Sequence, residues 1–152
     1  MLAAMAPAFA DNPIMPDPRL TPGAAATIDA NRVCRRGYAK SMRHTSTRLK
    51  HEIYREYGID RRKGRYEIDH LVSLELGGAD VAANLWPESY ETEPWNAHVK
   101  DQLENFLHAE VCAGRMPLQQ AQQEIARDWI GTYRKYLGEP VASGSTSRRR
   151  RR

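Results

Sequence analysis

Between Tyr66 and Asp101 the chain reads YEIDHLVSLELGGADVAANLWPESYETEPWNAHVKD. Asp69 and His70 are adjacent, Asn84 stands alone, and Asn96, His98 and Lys100 cluster near the end. A hard divalent cation takes oxygen ligands, and activating a water molecule needs an imidazole beside them. This stretch offers both. The basic run Arg61, Arg62, Lys63 and Arg65 directly precedes it and could contact phosphate, as could Lys100. The blander readings are a plain polar pair at a strand end, a solvated loop and a solvated Lys100–Asp101 helix pair.

The elements that must position these residues follow from periodicity and punctuation. Tyr66 to His70 and Ser73 to Leu76 alternate apolar and polar residues, as short strands do. Gly77 and Gly78 supply a tight turn, and residues 79–94 read as a loop. A long helix is predicted from about Trp95 to Cys112, with Val99, Leu103, Phe106, Leu107 and Val111 on one stripe. Gly114 stops it. A last helix starts near Pro117, carries Leu118, Ala121, Ile125, Trp129 and Tyr133 inward, and ends at Gly138 and Pro140. The two should form an antiparallel hairpin. Upstream, Leu49, Ile53 and Tyr57 mark a helix from Thr45 to Tyr57 that Gly58 stops. Residues 33–43 read as a loop with Gly37 at a turn, and residues 25–32 as a short helix. Trp86 and Trp95 read as core anchors, and His44, His51 and His108 as surface residues.

With 152 residues the chain is expected to form one domain with tails. The expected division is a secretory-signal remnant at 1–10, a proline-rich arm and short helix at 11–32, one domain at 33–138, and a disordered basic tail at 139–152. Ala8-Phe9-Ala10 fits a small-x-small cleavage site, which favours a periplasmic or secreted protein. No apolar run approaches the roughly 20 residues of a membrane span, so a membrane partner is not expected. The net charge of +4 rests on Arg148 to Arg152; without them the chain sums to −1. Cys34 and Cys112 have no zinc-site spacing. They read either as a disulfide or as two buried thiols.

The order Asp-His, Gly-Gly, Asn, then Asn/His/Lys after a strand resembles the HNH endonuclease family, whose core is a ββα-metal finger. The segments VCRRGYAKSMR, YEIDHLVSLELGG, NLWPE, KDQLE and VCAGRMPLQQAQQEIARDW extend the likeness to a bacterial branch of small HNH-type proteins, over roughly residues 33–137. The resemblance implies an α+β fold with that core, an N-terminal helix and a C-terminal helical hairpin. It implies a DNA-directed phosphodiesterase using one magnesium or manganese ion. His70 would be the general base, and Asn84 would hold the His70 loop. Asp69 would ligate the ion together with Asn96 or His98, which lie about 200° apart around the helix and so cannot both reach it. The competing function is a nucleic-acid or protein-binding module that keeps the shape without catalysis.

Overall fold

The computed structural model describes residues 14–141, so the 1–10 segment and the Arg148–Arg152 run lie outside the described residues. The fold is α+β: among the described residues there are five α-helices and one two-stranded antiparallel sheet. Helices α1 (Ala30–Val33), α2 (Tyr38–Met42) and α3 (Thr47–Glu56) precede strands β1 (Tyr66–His70) and β2 (Leu85–Ser89), and α4 (Ala97–Cys112) and α5 (Leu118–Leu137) follow. Among the described residues no helix is long and apolar enough to cross a membrane.

Three local expectations are corrected. Ser73 to Leu76 is not a strand: Leu74–Leu76 is a 3-10 turn with both leucines buried. The second strand lies inside the expected loop, at Leu85–Ser89, and pairs Asp69 with Trp86 and His70 with Leu85. Pro87 disguised it, because proline cannot donate to a ladder; a two-stranded sheet leaves each strand a free edge where that costs nothing. The segment 33–43 is not all loop. Gly37 adopts φ 83° and releases the chain into α2.

The helical stripes behave as expected. Val99, Leu103, Leu107 and Val111 of α4 pack on Leu118, Ala121, Ile125, Trp129 and Tyr133 of α5. Trp95 sits edge-on to both Trp129 and Tyr133, and Trp86 is fully buried in a second cluster with Ile53, Tyr57, Leu71 and Leu85. Helix α5 is broken at Asp128, whose backbone is extended. The Asp128 carboxylate accepts the Gly131 N–H at 2.9 Å and restarts the helix as a cap would.

The proline-rich arm is built into the body. The Asp17 N–H donates to the Tyr57 hydroxyl, the Gly23 N–H to the Ala83 carbonyl and the Ala26 N–H to the Gly77 carbonyl. The Trp129 indole N–H reaches back to the Ile14 carbonyl at 2.9 Å. The Gly-Gly turn is as tight as its residues suggested. Gly77 has φ 77°, and a Cβ on Gly78 would lie 1.8 Å from the Val72 carbonyl oxygen.

Cys34 and Cys112 form a disulfide between the ends of α1 and α4, 78 positions apart. Closing a loop of that length stabilises the fold by about 4 kcal/mol through the unfolded chain. Reduction should therefore lower the melting temperature by roughly 10 °C. Thermal melts with and without a phosphine reductant would check this, and coincident melts would refute it.

Candidate functional site

Strand β1 ends on Asp69 and His70 at the mouth of a cleft of about 270 Å³. Its walls come from Ala39 and Arg43 of and after α2, from Ser73, Leu74 and Glu75, and from Asp101, Glu104 and Asn105 on successive turns of α4. An imidazole, four carboxylates and a guanidinium share this space.

His70 is held on one side only. Its Nε2 lies 2.8 Å from Asp80 Oδ1. Asp80 also accepts the His44 N–H at 2.6 Å and the Thr45 hydroxyl. Burial alone would push the Asp80 carboxyl up, but donors from Thr45, His70 and His44 outweigh it and hold it below the usual carboxylate range. An ionised carboxylate facing Nε2 fixes the proton there and leaves the lone pair on Nδ1. Burial depresses His70 below the ordinary imidazole value against the opposing pull of Asp80 and Asp69, so the ring is neutral near pH 7.

Asn84 is completely buried and uses its whole amide. Oδ1 accepts the Val72 N–H at 2.9 Å and the Ala24 N–H at 3.2 Å; Nδ2 donates to the Val72 and Ala79 carbonyls, both at 2.9 Å. These bonds pin the loop that leaves His70 and tie the N-terminal arm to it.

Asp69 sits in a dense electrostatic knot. Lys100 Nζ, fully buried, donates to Asp69 Oδ2 at 2.6 Å, to the His70 carbonyl at 2.8 Å and to Glu104. Burial opposes the ammonium, but Asp69, Glu104 and Glu88 together hold Lys100 well above its ordinary value. Burial likewise pushes Asp69 up, and Lys100 brings it below the usual carboxylate range. Glu104 is pushed up to about 8 by burial. Glu88, opposite Glu67 in the sheet, is also buried, and neither of its oxygens meets a donor. Carboxylate oxygens of Glu67, Asp69 and Glu88 lie within 4.8 Å of one another. Burial drives Glu88 far above the carboxylate range, so it carries a proton that it can offer to Asp69.

Several expected roles are corrected by this geometry. Lys100 does not face a phosphate: all three of its protons are committed inside the protein. Asn96 is the N-cap of α4, its Oδ1 accepting the Val99 N–H at 3.2 Å in a buried position. His98 is exposed, its ring tilted at 42° to Tyr90 with centroids 5.1 Å apart. Neither Asn96 nor His98 lines the cleft beside Asp69. Arg62 is paired with Asp60 at 2.9 Å, and Arg65 lies 5.8 Å over the Tyr90 ring, so neither belongs to the cleft.

Asp80 and Glu88 were not picked out from sequence, and Asp101 entered only as the helix neighbour of Lys100. Asp101 and Glu104 carried a readable signal, since positions three and four after one another on a helix share a face. Asp80 follows the Gly-Gly turn with no periodicity to mark it. Comparisons with family models, with curated proteins and with solved structures return no match for this chain.

Proposed function

We propose that this protein is a metal-dependent nuclease of the HNH kind, hydrolysing phosphodiester bonds in nucleic acid, DNA foremost. One observation carries the reading. A neutral His70, its Nε2 fixed by Asp80, opens onto the same cleft as Asp69, further carboxylates and Arg43. The β1–β2–α4 order and the Asn84 clamp fit the resemblance to the ββα-metal finger.

The donor set suits a hard divalent ion. Its groups are oxygens, and magnesium is held by one or two carboxylates with water and substrate phosphate completing its shell. Asp69 and Asp101, from β1 and α4, would hold it in place of the Asn96 or His98 pairing. When bound, the ion supplies charge neutralisation at the phosphate and an acid for the leaving oxygen.

The chain's own residues do the rest. His70 Nδ1 takes a proton from the attacking water. The Asp80 carboxylate keeps the ring's orientation and offsets the imidazolium charge that forms. Lys100 and neutral Glu88 fix the Asp69 carboxylate, so Asp69 need not reorganise during reaction. Arg43, exposed at the cleft edge, meets the scissile phosphate.

A plasmid-nicking assay with magnesium or manganese, run beside EDTA, tests the proposal. Nicking that appears with metal and vanishes with chelator is the expected result. No cleavage of duplex, single strand or RNA under either metal would overturn it and leave a binding module as the better reading.

A further inference from the structure

Between Asp29 and Glu52 the chain contains no acidic residue, while Arg32, Arg35, Arg36, Lys40 and Arg43 fall within twelve positions. The structure folds this segment into two short helices with a groove between them of about 330 Å³. Arg32, Arg35 and Arg36 wall it, and Tyr38 and Ser41 lie along it. The three arginines are exposed and none forms an ion pair among the described residues. Tyr38 is buried, and its hydroxyl has no hydrogen-bond partner. Arg19, Arg48, Arg62, Arg115 and Arg134 each meet a carboxylate, and although Arg43, Arg55, Arg61 and Arg127 do not, the α1–α2 groove gathers three unpaired arginines on its walls. Three unneutralised guanidiniums around one groove repel each other unless an anion sits among them.

Helix α2 is a wall shared with the catalytic cleft. Tyr38, Ser41 and Met42 face the groove, whereas Ala39 and Arg43 face the cleft. At 100° per residue these faces lie roughly 120° apart, and crossing a helix covers about 10 Å. A nucleic-acid strand advances about 3.4 Å per phosphate. The groove therefore lies about three nucleotides from a phosphate held at His70.

We infer that the α1–α2 groove, through Arg32, Arg35 and Arg36, binds the phosphodiester backbone of the substrate strand about three nucleotides from the scissile phosphate. The inference rests on the nuclease reading for its register, but the anion site itself does not need it. The acid-rich cleft repels a polyanion, and the groove supplies the attraction that holds the strand across it.

The test uses the full chain with its disulfide intact. Arg32→Gln/Arg35→Gln/Arg36→Gln is compared with the parent for binding to a labelled 20-mer duplex in EDTA, across a salt series. The melting temperature should be unchanged, because these side chains have no partners to lose; should the triple variant fail to fold, Arg35→Gln alone serves. The expected result is at least tenfold weaker binding and a log K against log salt slope shallower by about 2 to 3, or about 1 for the single variant. Hydrolysis of bis(4-nitrophenyl) phosphate should stay within twofold of the parent, while cleavage of the 20-mer falls at least tenfold. An unchanged affinity and salt slope would overturn the proposal. Displacement of the duplex by inorganic phosphate at equal charge concentration would also overturn it, assigning the groove to a small anion instead. If the parent hydrolyses neither substrate while the arginines still control binding, the nuclease reading fails and the groove stands.

Discussion

Replacing His70 with alanine is expected to lower metal-dependent cleavage by about 10²- to 10⁴-fold, the usual worth of a positioned general base. The fold should survive. His70 contributes one side-chain bond, to Asp80, and Asp80 keeps the His44 and Thr45 donors when the ring is gone. Single-turnover cleavage of a defined duplex, with the melting temperature of the same preparation, separates the two effects. Full activity in the variant would remove His70 from the mechanism. Activity lost together with the cooperative melt would mean that the ring is structural.

The largest stability effect should come from Lys100→Met. The substitution keeps most of the length and apolar stem but removes the ammonium that Asp69, Glu104 and the His70 carbonyl all contact. Breaking a buried ion pair from one side costs about 3–5 kcal/mol, because the remaining charge is stranded away from water. Urea unfolding would read this as a lower midpoint with an unchanged slope. Adding Asp69→Asn should recover part of the loss by removing the stranded carboxylate. A surface phosphate contact would behave differently: stability unchanged and only nucleic-acid binding weakened. That outcome would refute the burial argument.

The helices were legible because their information is local and repeated. Leu103, Leu107 and Val111 recur with the helical period, and each is buried in α4. The break in α5 was not legible, since Asp128 sits inside an unbroken apolar stripe and its cap is a single bond to Gly131. Strand β2 was missed for the opposite reason: Trp86 and Pro87 carry no alternation, and its five residues are all buried. Asp69, His70 and Asn84 were singled out by type and spacing, and the structure places Asn84 on the loop that leaves Asp69 and His70. Lys100 was misjudged because exposure is a tertiary property. Its helix position permits an ion pair with Glu104, four residues on, but nothing in the sequence says that both lie beneath Asp69. Asn96 and His98 were weighed as ligands on the resemblance and on helix phase, neither of which distinguishes a cap from a donor aimed at a cleft.

The arm described above has a temporal consequence. Residues 14–27 leave the ribosome before the partners that hold them: Tyr57, then Gly77, Ala79, Ala83, Asn84 and Leu85, and last Gln122 and Trp129. A segment made early is the last that can be completed. Until α5 has emerged, the Asn84 clamp can form toward Val72 and Ala79, but the strap from Ile14 to Trp129 has no anchor. The final closure of this fold waits for α5 to emerge.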